Sequence, residues 1–186
     1  MDQNLKKLLK EIDSAFESKA VDRTILLAYA NGDAWSIENI QETLGHRPWK
    51  EVTRDDLYQC GYSEIASYLT IRGLVHYLPA LMSRSLEEPE PAKSRLSEVT
   101  RLIVVPADIE FQDVWECFGD GQFESPLSPS AQTWLARSGR LRSSLTKQQR
   151  SCVGKFIEVV ENPNGSIQDE NFLNLLSRFS QYWTTY

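Results

Sequence analysis

The sequence predicts a mainly α, single-domain bundle of five to seven helices, with room for one small β element. Three observations carry that prediction. Apolar residues recur at helical spacing in five separate stretches, and capping residues stand at the ends of several of them. A chain of 186 residues is also long enough to bury a core of its own. With 41% hydrophobic and 25% charged residues, the composition excludes a disordered polymer. No repeat or heptad run is present, which sets solenoids and coiled coils aside.

The elements follow in chain order. Leu5, Leu8, Leu9, Ile12 and Phe16 fall in a stripe about 100° wide, with Lys6, Lys7, Lys10 and Asp13 on the other side, so the first helix has one buried face. Short helices are expected from Ser36 to Leu44, stopped by a left-handed Gly45, and from Arg54 to Cys60, opened by Thr53 and closed by Gly61. Ile71, Leu74, Val75, Leu78, Leu81 and Met82 form the next stripe behind a Thr70 cap. Pro79 has no N–H for the Val75 carbonyl, so this element either kinks or restarts there.

Glu87 to Ser97, with Pro89 and Pro91 among charges, reads as an internal linker. Leu102 to Val105 has the β-branched character of a short strand, without an identified partner. Phe111, Val114, Trp115 and Phe118 make a third helical stripe that Gly119, Asp120 and Gly121 end. Thr146 and Gln149 have capping-box spacing in front of the core face Val153, Phe156, Ile157 and Val160. Asn162 to Gly165 turns the chain, and Phe172, Leu176, Phe179 and Trp183 build the last helix.

The segments Trp49, Lys50, Glu51, Val52 and Tyr77, Leu78, Pro79, Ala80, Leu81, Met82 carry a resemblance. They are similar to a bacterial family known only as a domain of unknown function, whose members pair a W-x-[DE]-[LV] segment with a Y-L-P-A-L helix motif. Leu145, Thr146, Gln148 and Gln149 likewise look like that family's helix start, so the resemblance spans roughly positions 45 to 160. It implies a small bacterial cytosolic protein and transfers no catalytic residue.

Chemistry is sparse. Cysteines stand at 60, 117 and 152, an odd number without a C-x-x-C pair, which argues against a disulfide scaffold or a thiolate zinc site and for a reducing, cytoplasmic home. Cys60 and Cys152 read as small packed side chains. No apolar run reaches the ~20 residues of a membrane span, and Lys6, Lys7, Lys10 and Glu11 break up any leader-like segment. Neither phosphate-loop pattern nor a G-x-S-x-G elbow occurs, so no cofactor, metal or catalytic residue is assigned. Ser143 and Ser144 are placed in a loop before a cap.

If an enzyme site exists, it is sought at His46, in a loop, or at His76, placed on the polar side of its helix with Arg72. Asn162, Asn164 and Gly165 imitate part of a calcium loop, but its two anchoring carboxylates are missing, and a turn explains them.

Charge is unevenly spread. Twenty basic against 26 acidic residues give −6, which disfavours general attraction to nucleic acid or anionic membranes. Arg137, Arg140, Arg142, Lys147, Arg150 and Lys155 form a basic run, and Asp108, Glu110, Asp113, Glu116, Asp120 and Glu124 an acidic one. Read plainly, these are solvated or mutually neutralising faces. Read functionally, the acidic run plugs a basic cleft of a partner, or the basic run over 137–155 binds a phosphate-bearing ligand or nucleic acid through Arg forks with Trp134 beside it. Trp35, Trp49 and Trp134 are lids on the core or interface anchors. The leading expectation is a non-enzymatic module that binds a cytosolic protein, in its sharpest form an immunity protein bound to a toxin. Its weak partner-binding candidates are Asp108, Glu110, Asp113, Glu116, Arg137, Arg140, Arg142 and Trp49.

Overall fold

A computed structural model describes residues 3–22, 34–61, 65, 67–90, 95–104, 129–161 and 170–185. The described residues are mainly helical, as the sequence reads. They hold eight α-helices, α1 (Gln3–Ala15), α2 (Ala34–Thr43), α3 (Arg54–Gln59), α4 (Ile71–Leu86), α5 (Arg95–Val104), α6 (Pro129–Ser144), α7 (Lys147–Glu161) and α8 (Glu170–Thr184), and a 3-10 turn at Trp49–Glu51. Among them no helix is long and apolar enough to cross a membrane. The chain divides into two compact units, Met1–Thr100 and Arg101–Tyr186.

In the first unit α4 is the organising element, and α1 and the 3-10 turn pack on it. Gly73, Leu74, Tyr77 and every residue from Leu78 to Ser83 are buried, together with Ser85 and Leu86. A helix buried on nearly all sides belongs to the inside of a unit, whereas the one-sided stripe read from the sequence suggests a surface helix. Thr70 caps it as expected, accepting from the Gly73 N–H at 3.1 Å. Helix assignment continues through Pro79, so the chain does not restart there. The α1 stripe behaves as read, with Leu8, Ile12 and Phe16 buried and Lys6, Lys7, Lys10 and Asp13 exposed.

Both short helices start or stop where the sequence places them. Gly45 (φ 57°) and Gly61 (φ 75°) adopt the left-handed region that side chains avoid. Thr53 and Asp56 form a reciprocal capping box at the start of α3, the Thr53 N–H donating at 2.8 Å and the Asp56 N–H at 3.1 Å.

The second unit is built on α7 against α8. Cys152, Val153, Phe156, Ile157 and Val160 are buried on one side, Leu176, Ser180 and Trp183 on the other. Gly154 permits a close approach, since a Cβ there would lie 3.1 Å from the Ser180 hydroxyl and 3.2 Å from its carbonyl oxygen. The Trp183 indole donates to the Val104 carbonyl at 2.9 Å. Thr146 and Gln149 make the expected capping box.

Three sequence expectations are corrected. Leu102–Val104 is the last turn of α5, not a strand: Leu96, Thr100, Ile103 and Val104 are buried at helical spacing, and that shared buried face overrides the strand preference of β-branched residues. The ends of the linker read over 87–97 are helical, since Glu87 caps α4 and Arg95, Leu96 and Ser97 belong to α5, while 91–94 lie outside the described residues. Ser143 and Ser144 close α6 and return their hydroxyls to the Gly139 and Arg140 carbonyls, so they are helical residues and not a loop. The stripe at Phe111–Phe118, its Gly119–Gly121 stop, Cys117 and the turn at Asn162–Gly165 lie outside the described residues.

Candidate functional site

The two histidines meet in the first unit, where the loop after α2 runs over α4. His76 is half-buried, and its Nε2 lies 2.7 Å from the Arg47 carbonyl oxygen. A carbonyl only accepts, so Nε2 carries the proton and donates it. Burial pushes the His76 pKa below its ordinary value; the bond to Arg47 opposes that shift, and nearby His46 adds to it. The adjacent Tyr77 ring stands edge-on at 4.6 Å. Its hydroxyl donates to the Gly45 carbonyl at 2.6 Å, and burial raises its pKa far above the usual phenol range. His46 holds the loop from the other side, its carbonyl accepting from the Val21 N–H at 3.0 Å. Its buried Nδ1 has no hydrogen-bond partner among the described residues.

Arg47 pairs with Asp56 at 2.9 Å and donates to the Thr43 and Leu44 carbonyls at the end of α2. Burial works to raise the Asp56 pKa. The Thr53 N–H and hydroxyl and the Arg47 guanidinium outweigh it, and the net shift is downward. The side chains of His76, Tyr77, Arg47 and Asp56 therefore each fix backbone, and together they brace the 45–47 loop. Among the described residues no group of three or more His, Cys, Asp or Glu is placed to hold a metal ion. Of the solvent-facing or capping roles open to His76 from its helix position, the half-buried ring does not take the first and instead bonds a backbone carbonyl.

A second brace holds the 3-10 turn. Trp49 is 4% exposed, and its indole donates to the Phe16 carbonyl just past α1 at 3.3 Å. Arg84, from α4, donates to the Val52 carbonyl at 3.0 Å and to the Lys50 carbonyl at 3.1 Å, with its remaining nitrogen on Glu87. Lys50 pairs with Asp13 and lies 5.5 Å from the Trp49 ring. A wide-mouthed depression of about 630 Å³ is lined by Asp13, Ser14, Phe16, Ser18, Pro48 and Lys50, among others. Two of those charges already neutralise each other.

The basic run of the second unit does not present one face of arginines. Arg137 is 7% exposed and packs inside. Arg142 covers the Tyr182 ring at 4.7 Å and donates to the Tyr182 and Thr185 carbonyls, completing the end of α8. Arg150 donates to the Leu145 carbonyl at 3.1 Å. Arg140, Lys147 and Lys155 are the exposed members. Asp108, Glu110, Asp113, Glu116, Asp120 and Glu124 lie outside the described residues, and so does the Trp134 side chain.

One aromatic side chain behaves differently. Trp35, in the first turn of α2, is 68% exposed, while Ser36, Ile37 and Ile40 of the same helix are buried. Glu38 and Glu42 are exposed with it.

The model of a family of unknown function, DUF6714, matches residues 4–186 of the chain. The chain belongs to that family. No curated protein and no solved structure matches it. The DUF6714 match is wider than the stretch of 45 to 160 over which the sequence itself suggested a relationship. In this DUF6714 chain Arg84, two residues past the second segment on the same helix, holds the first segment, and Tyr77 holds the turn that precedes Trp49. Both are parts of the frame. Trp49, a partner-binding candidate of the sequence, is buried as a core lid, whereas Trp35, read as either a core lid or an interface anchor, is exposed. The amphipathic pattern of α2 is the signal that could have found it: position 35 lies opposite Ile37, Ile40 and Leu44.

Proposed function

We propose that this chain is a non-enzymatic protein-binding module whose contact surface includes the outward side of α2. The observation that carries the reading is Trp35, an indole 68% exposed on a helix whose other side is buried. A tryptophan held outward by a fixed helix offers a large apolar area at little entropic cost, and such residues dominate the energetics of protein interfaces. The polar groups around His46 and His76 fit this reading, because the bonds they make brace the loop that follows α2. In its finer form the reading is an immunity protein that neutralises a toxin in a bacterial cytosol. The acidic balance of −6 supports that form, since complementary charge speeds association with a basic target and sharpens partner choice.

The test is a photo-cross-linking amino acid at position 35, compared with one at Lys6 on the exposed side of α1. Cross-linking is done in the native host and followed by mass spectrometry. A discrete adduct at 35 that is absent at 6 supports the module. The same adducts at both positions, or none at 35, count against it.

A further inference from the structure

We infer that the outward face of α2 is a docking platform for an arginine-bearing segment of a partner protein, an assignment that rests on the protein-binding reading above. At 100° per residue, Trp35, Glu42 and Glu38 fall within a sector about 60° wide, centred opposite Ile37, Ile40 and Leu44. All three are exposed, and neither carboxylate is in an ion pair with a described residue. The only charges that α2 carries are Glu38 and Glu42. On one flank Asn39 is tied back to the Gln59 carbonyl at 3.0 Å, which anchors the helix without covering this face.

The chemistry of the face selects its occupant. A purely apolar partner would strip water from two carboxylates and return nothing for it. A lysine would meet the charge, but its compact ammonium neither stacks flat on an indole nor forms a two-pronged bond to a carboxylate. An arginine does both: its guanidinium lies on the Trp35 ring as a cation–π contact, and its parallel N–H groups fit Glu38 or Glu42.

Spacing points the same way. Four residues along a helix advance about 6 Å, which places the Glu38 and Glu42 backbones that far apart. Alternate residues of an extended strand are about 6.6 Å apart. Two arginines on one side of an extended partner segment therefore reach both acids, and a third reaches the indole.

The test uses the full chain and a fluorescein-labelled peptide in which arginine alternates with threonine, beside the same peptide with lysine at each arginine. Binding is read by fluorescence anisotropy at low and moderate salt, with circular dichroism to confirm that each variant is folded. The expected result is arginine-peptide binding about tenfold tighter than lysine-peptide binding, a preference that W35A abolishes. The E38Q/E42Q double variant should weaken the arginine peptide by a similar factor. Equal binding of the two peptides, binding that survives W35A and E38Q/E42Q, or no binding of the arginine peptide would each overturn the assignment. A cross-linked partner at position 35 that the arginine peptide does not displace would leave the protein-binding reading standing and remove the arginine assignment alone.

Discussion

The Tyr77 hydroxyl donates a 2.6 Å hydrogen bond to the carbonyl oxygen of Gly45, the residue whose φ of 57° ends α2. The bond and the left-handed turn act together, because the carbonyl is within reach only while the turn holds. Tyr77→Phe should cost about 1 kcal/mol of stability, the usual net worth of such a bond. Gly45→Ala should cost about 1–2 kcal/mol for placing a Cβ in the left-handed region. Measured by urea denaturation, the double variant should lose less than the two losses added together. Full additivity would show that turn and bond are independent.

Arg84 reaches two carbonyls of the 49–52 segment and one carboxylate with separate nitrogens. Lysine keeps the charge, but its three N–H donors radiate from one nitrogen rather than from a planar fork, so Arg84→Lys loses the matched geometry of those contacts. A loss of about 1–3 kcal/mol is expected by chemical denaturation followed by circular dichroism. A lysine variant as stable as the parent would mean that the clamp is charge alone.

Stability should fall in two stages as the solution is acidified. The His76 pKa is lowered on folding, so the unfolded chain takes up the proton first. The stability due to neutral His76 is complete above the ordinary value of 6.5 and is lost as pH falls from there through the folded value. The Asp56 pKa is also lowered, so its contribution is present above 3.8 and is lost as pH falls further, through its own folded value. Thermal midpoints across pH should show both losses, with His76→Gln removing the first and Asp56→Asn the second. A profile that His76→Gln leaves unchanged between pH 7 and 5 would contradict the first.

Gly154→Ala tests the α7–α8 contact. Alanine favours a helix over glycine by about 1 kcal/mol, but the new Cβ would press on the Ser180 carbonyl, which is helix backbone and cannot swing away. Overpacking at about 1–3 kcal/mol wins, and the thermal midpoint should drop. A rise would show that the two helices separate freely.

What could be read from the sequence was local. Thr53, Thr70, Thr146 with Gln149, Gly45 and Gly61 act within three or four residues, and each sits where its neighbours place it. The braces were not legible, because His76, Tyr77 and Arg84 find their carbonyls across about thirty residues of chain, and no spacing rule encodes that. α6 is not marked in the sequence because its stretch is rich in small and polar residues with few apolar ones, which leaves little periodicity. Trp35 was visible as an aromatic near a helix end, but whether such a ring turns inward or outward depends on what the fold lays over it.

Four side-chain bonds of the first unit span nearly equal lengths of chain: 29 residues from His76 to Arg47, 32 from Tyr77 to Gly45 and from Arg84 to Val52, and 33 from Trp49 to Phe16. This sets an order in time. Capped helices form early because their contacts are local, whereas none of these bonds can form until a loop of some thirty residues has closed. Closure costs entropy that depends only weakly on loop length, so the seating of α4 meets most of that cost in one event and gains the three contacts from His76, Tyr77 and Arg84 with it, while Trp49 and Phe16 close a separate loop. The seating of α4 is therefore a late, single kinetic step, and variants that remove one of its three braces should mainly speed unfolding while leaving the folding rate nearly untouched.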